Sequence, residues 1–126
     1  MSWTRYRPLT RATVAAAPEF PGVYQIAAAR GTFQYLLGKS STLYYGKADV
    51  RVFDRLYKHI NGRGNKTVFK LLEGEFPLKV RWQHVDWDEP ERVECDLLTA
   101  FEEKFGERPV ANERGCRFVS AVQRLQ

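Results

Sequence analysis

Residues 42–60 run Thr42-Leu43-Tyr44-Tyr45-Gly46-Lys47-Ala48-Asp49-Val50-Arg51-Val52-Phe53-Asp54-Arg55-Leu56-Tyr57-Lys58-His59-Ile60, and their hydrophobic period changes once, after Gly46. Before it lies a short apolar run of strand-favouring residues. Beyond it, Val52, Phe53, Leu56 and Ile60 recur at helical spacing. The pattern predicts a strand that gives way to an amphipathic helix, with Asp49 placed to cap the helix start. Working back towards the N-terminus, residues 22–28 (Val23, Tyr24, Ile26) and 32–37 also read as strands. Gly38-Lys39-Ser40-Ser41 supplies turn chemistry ahead of the run at 42–45. Residues 1–21 form a lead-in with one or two helical turns at 10–17. Pro18 and Pro21 hold an extended approach, because proline pushes its predecessor away from helical angles.

Working forward, Asn61-Gly62-Arg63-Gly64-Asn65 is a helix stop and a basic loop, followed by a short helix at 68–72. Leu78, Val80, Trp82 and His84 alternate with Lys79, Arg81, Gln83 and Val85, the mark of a half-buried strand. Asp88 and Glu91 make a D-x-x-E variant of the capping box with Pro90 in the first turn. The helix they open turns Val93, Leu97, Leu98, Phe101 and Phe105 inward and stops at Gly106. The order β-β-β-α-α-β-α predicts an α+β fold. Its small antiparallel sheet has three core strands, and helices flank it.

With 126 residues, the chain is one domain, large enough to bury a core without staples. Apolar residues at 44% and aromatics at 13% argue against intrinsic disorder. Twenty Lys and Arg against 15 Asp and Glu give a net charge of +5, which favours a polyanionic partner. No apolar run approaches the roughly 20 residues of a membrane span, so no membrane is expected. The first five residues have no apolar stretch of the secretory kind. Cys95 and Cys116 lack C-x-x-C spacing, so neither a zinc finger nor a disulfide framework is suggested. Reduced thiols and a cytoplasmic location are the expectation. Gly38-Lys39-Ser40 matches the tail of a phosphate-binding loop, but the glycine required five positions earlier is Phe33, and that reading is rejected.

The chemistry-bearing elements are spread along the chain. Pro21-Gly22-Val23-Tyr24 opens the first strand, and Leu43-Tyr44-Tyr45-Gly46-Lys47-Ala48 leads into the first long helix. Arg55 and His59, four apart, share one face of that helix. Glu94 stands on the late helix ahead of Leu97 and Leu98, and Pro109-Val110-Ala111-Asn112 closes the set. Singly, each has a plain explanation: half-buried strand tyrosines, a solvated helix face, a surface carboxylate, a turn asparagine. Their order is what carries weight.

This constellation resembles the GIY-YIG nuclease family, with G-I/V-Y on one strand and Y-I/V-G-K on the next. The R-L-x-x-H/Y element follows on a helix, then a metal-binding glutamate on a later helix, then an asparagine after a proline. The match spans residues 21–112, nearly three-quarters of the chain. The gap between Tyr24 and Tyr44 is longer than is common in the family, which predicts an enlarged hairpin or an added strand. Tyr45 replaces an aliphatic residue. The resemblance implies a lead-in (1–20), a nuclease-like domain (21–115) and a tail (116–126).

It also implies a metal-dependent endonuclease acting on DNA ahead of RNA. Tyr24, Tyr44, Arg55, His59, Glu94 and Asn112 form the implied site. Glu94 would be the ligand of one Mg²⁺ (or Mn²⁺), a hard ion that prefers carboxylate and water oxygens. Glu91 is a rival, but only Glu94 keeps the E-x-x-L-L pattern. The base is Tyr24, Tyr44 or His59, since a phenol serves near neutrality only if cationic neighbours such as Arg55, His59 or Lys47 lower it. Arg55 would hold phosphate oxygens with its planar fork, and Asn112 would position backbone. Lys47, Lys58, Arg63 and Lys66, with Arg5 and Arg7 in the lead-in, would grip phosphates without reading sequence. Specificity is left to the N-terminal segment, the long hairpin, dimer formation or a separate partner. The alternative is a non-catalytic nucleic-acid-binding module on the same scaffold.

Overall fold

The structure is a computed structural model and describes residues 2–113. It is α+β. In chain order the elements are β1 (Arg7–Pro8), α1 (Arg11–Ala15), β2 (Gly22–Ala28), β3 (Phe33–Tyr35) and β4 (Gly38–Ser40). Then follow β5 (Thr42–Ala48), α2 (Val52–Ile60), α3 (Lys66–Glu73), β6 (Leu78–His84) and α4 (Pro90–Phe105). Four strands form one antiparallel sheet in the order β1-β6-β2-β5, and β3 with β4 forms a separate two-stranded hairpin.

Strand β2 lies between β5 and β6 and is buried along its whole length, since both α2 and α4 pack onto it. Strand β6 alternates as its sequence predicts, with Leu78, Val80 and Trp82 buried and Lys79, Arg81 and Gln83 half-buried. His84, expected inward, is exposed. The core joins Tyr24, Ile26, Leu43, Val80 and Trp82 of the sheet to Val14, Val52, Leu56 and Val68 of the helices. The lead-in belongs to this body. Leu9 and Val14 enter the core, and β1 pairs with β6 through Arg7↔Val80 and Pro8↔Lys79.

Four local expectations are corrected. Residues 38–40 are a strand, because the chain reverses earlier, at Leu36-Leu37, and Gly38 pairs with Tyr35. The long connection is thus the enlarged hairpin, strapped down by the Tyr35 hydroxyl, which donates to the Thr42 carbonyl and accepts from the Val110 amide. Asp49 does not cap α2. Its carboxylate accepts two hydrogen bonds from Lys47 Nζ, and Arg51 holds the N-cap position with no side-chain capping bond, its guanidinium donating to Asp54 instead. No capping box forms at α4, whose N-cap is Glu89 with Pro90 opening the first turn. The helix does end where expected, on Gly106 with φ 81°. Finally, Cys95 is disulfide-bonded, which overturns the reduced thiol expected there, because sequence spacing carries no information on proximity in space. Cys116 and the tail 116–126 lie outside the described residues. Among the described residues no helix is long and apolar enough to cross a membrane.

Candidate active site

The sheet edge at β5 gathers the separated motifs. Tyr24, in the middle of β2, pairs in register with Gly46 of β5 and lays its ring across that glycine. A Cβ at position 46 would stand 2.3 Å from Tyr24 Cζ, so only glycine leaves room for the ring. The Tyr24 hydroxyl meets His59 Nε2 at 2.7 Å in the interior, where Tyr24 is 0% and His59 1% exposed. Tyr44 completes a triangle of rings, with centroids 6.2 Å from Tyr24 and 5.3 Å from His59.

His59 sits in the last turn of α2, and the loop beyond folds back over it. The Asn65 amide donates to His59 Nδ1 at 3.0 Å. A Cβ on Gly64 would lie 2.5 Å from the same nitrogen, so the second indispensable glycine lets the loop approach. Asn65 also caps α3, its Oδ1 accepting from the Val68 amide, and donates through Nδ2 to the Ala111 carbonyl.

A cleft of about 610 Å³ opens in front of this layer. Tyr44, Lys47, Arg55, Glu91, Glu94 and Asn112 line it, with Arg63 and Lys66 on the loop side. Tyr24 and His59 stand behind it. Arg55, one helical turn before His59, leaves its buried Nε without a hydrogen-bond partner. Glu94, half-buried on α4, makes no hydrogen bond or ion pair among the described residues. Desolvation pushes its carboxyl up to about 7, against the pull of Lys47 and Arg55.

The same burial sets the other groups. Tyr24 is pushed well above the usual phenol value, chiefly by desolvation, with the nearby Arg55 charge opposing. Tyr44 rises for the same first reason, and the Arg55 charge works against the rise. His59 falls to about 4 through burial and the adjacent Arg55 charge. His59 is therefore neutral near pH 7 and is not the cation expected to lower the phenols.

Asn112 lines the cleft, but its amide is occupied. Oδ1 accepts from the Tyr45 amide at 3.0 Å, and Nδ2 donates to the Tyr45 carbonyl at 2.9 Å. With Ala111 N–H bonded to the Leu43 carbonyl, this segment covers the open edge of β5. Asn112 thus pins the backbone at Tyr45. Lys58 is exposed on α2 and does not line the cleft. Arg5 and Arg7 lie at the far edge of the sheet, where Arg7 stands over the Trp82 ring at 5.5 Å. The sequence reading missed Gly64 and Asn65, which it took for a plain stop. An asparagine directly ahead of a helical stretch was the available N-cap signal.

Among the described residues there is no group of three or more His, Cys, Asp or Glu that could hold a metal ion by itself. The donor set still fits a hard divalent ion completed by water and phosphate oxygens. Glu94 is an unpartnered carboxylate that faces an open cleft and is costly to ionise alone. No family model, curated protein or solved structure matches the chain.

Proposed function

We propose that the chain is a metal-dependent endonuclease of the GIY-YIG type that hydrolyses phosphodiester bonds in DNA. The observation that carries this reading is a guanidinium and a carboxylate that line one cleft without pairing, backed by a buried tyrosine–histidine pair. Opposite charges left unpaired at a surface cleft are poorly explained by stability, because salt bridges elsewhere on this chain form readily.

Glu94 would hold the Mg²⁺ or Mn²⁺. When bound, that ion supplies charge neutralisation at the phosphate and a more acidic water. Arg55 receives two non-bridging phosphate oxygens in the part of its fork that lines the cleft. Tyr44 is the phenol that reaches the cleft, and because burial raises it, it would take the proton from an attacking water only with cationic charge added beside Glu94. Tyr24 lies one layer further in, its hydroxyl held by His59. Lys47, Arg63 and Lys66 border the cleft and grip the flanking phosphates. A second copy or a separate partner would supply sequence specificity.

Supercoiled plasmid with Mg²⁺ tests the reading. Wild-type protein nicks it, EDTA abolishes nicking, and Arg55→Ala or Glu94→Ala slows it by about 100-fold or more with the fold retained. Undiminished cleavage by both variants would overturn the mechanism. Salt-sensitive DNA binding without cleavage would leave a non-catalytic binding module.

A further inference from the structure

We infer that Asn65, through its backbone amide, is the positioning residue that fixes the tautomer of His59 and so sets which group donates in the buried contact between His59 and Tyr24. The catalytic part of this inference rests on the nuclease reading; the tautomer does not.

The argument is a count of protons. An amide N–H only donates, so Nδ1, at 3.0 Å from the Asn65 nitrogen, must present its lone pair. A neutral imidazole carries one N–H, and with Nδ1 used as acceptor that proton sits on Nε2. The contact of 2.7 Å to Tyr24 then has one polarity: Nε2–H donates and the phenol oxygen accepts. The hydroxyl proton of Tyr24 must therefore point away from His59, and the Tyr44 ring lies nearby on the cleft side. The N–H groups of Asn65 and His59 thus both point outward, towards the Tyr24 oxygen.

Two consequences follow. His59 cannot act as the base for Tyr24, because the nitrogen facing the phenol already holds a proton. Charging the ring would set a second N–H against the Asn65 amide, so this loop also keeps the imidazole neutral. The loop achieves this only because Gly64 has no side chain, since a Cβ there would collide with Nδ1.

The test begins with long-range ¹H–¹⁵N NMR of the histidine-labelled wild-type protein at pH 7, using His59→Gln to assign the signals of the two histidines. The expected result is an Nε2–H tautomer for His59 with unprotonated Nδ1. An Nδ1–H tautomer, or the averaged pattern of an exposed ring, overturns the inference. Asn65→Ala keeps the amide and should keep the tautomer, although it loses the cap. Gly64→Ala should displace the loop and abolish the preference.

Plasmid cleavage supplies the second arm. His59→Gln retains a donor nitrogen and should cut within about 10-fold of wild type, whereas His59→Leu should lose about 100-fold. Equal losses in the two variants would show that a basic nitrogen is required and would overturn the outward polarity. If the wild-type protein does not cut at all, the nuclease reading fails by itself, and the NMR result still decides the tautomer.

Discussion

The two edges of the four-stranded sheet are both rich in cations and aromatic rings, yet they use them in opposite ways. At the β1 edge the charges are engaged. Arg81 donates from Nε to Gln25 Oε1 at 2.7 Å and lies over the rings of Trp3 and Tyr6 at 4.6 and 4.7 Å. Lys79 covers the other reach of Tyr6 at 4.2 Å. At the β5 edge Arg55 and Glu94 stand in one cleft without pairing, and the neighbouring rings are held by an ordered set of polar contacts. A tally of basic residues would rank the edges alike. What separates them is how many charges the fold leaves unsatisfied.

DNA binding offers the strongest way to break that contrast. Arg63→Ala combined with Lys66→Ala should weaken affinity by roughly 10-fold and reduce the salt slope by about 0.9 for each phosphate no longer gripped. The matched pair Arg5→Ala and Arg7→Ala should change both by much less. Equal effects, read by fluorescence anisotropy over a salt series, would show that the far edge also docks.

Stability against pH sharpens it next. The Glu94 carboxyl titrates at about 7 in the fold against an ordinary 4.5, so its ionisation costs nothing below 4.5. The cost then grows as pH rises to about 7 and is complete above. Glu94→Gln should therefore raise Tm by roughly 5 °C at pH 8 without divalent ions, and leave it nearly unchanged at pH 4. Added Mg²⁺ should narrow the gap at pH 8 by stabilising the wild type alone. Differential scanning calorimetry reads all three.

The smallest effect belongs to His59. The unfolded chain protonates it near 6.5 and the fold only near 4, so the stability it contributes is whole above 6.5 and declines as pH falls to about 4. His59→Gln should flatten that decline by roughly 3 °C between pH 6.5 and 4, whatever its effect at pH 7. Parallel curves for the two proteins would mean that the imidazole is accessible to protons in the fold.

Much of this architecture was legible where period or punctuation is strong. The strand Gly22–Ala28 follows from its apolar run, and α4 ends at the glycine that marks it. The two-residue strand Arg7–Pro8 has no period to read. It exists because β6 offers Val80 and Lys79 as partners and Thr4 bonds to Trp82 beyond it. Turn chemistry at Gly38-Lys39-Ser40 was outweighed by pairing with residues 33–35, which local propensity does not encode.

In the site, Tyr44, Arg55, Glu94 and Asn112 share one cleft with Tyr24 and His59 behind it, while Lys58, Arg5 and Arg7 stand apart. The Asn65 side chain signals a helix cap, but not the contact with His59. Asn65 reaches His59 through a main-chain group that nineteen of the twenty residue types possess.

The close approach of the Tyr24 ring to Gly46 binds the fates of two positions more than twenty residues apart. Because ring atoms themselves occupy the place of the missing methyl, removing only the hydroxyl would free no space for a side chain at 46. Mutational drift at the two sites must therefore be joint. A larger residue at 46 requires loss of the whole aromatic ring at 24, and with it the oxygen that His59 contacts. Among natural variants of this chain, a tyrosine at 24 should always travel with a glycine at 46.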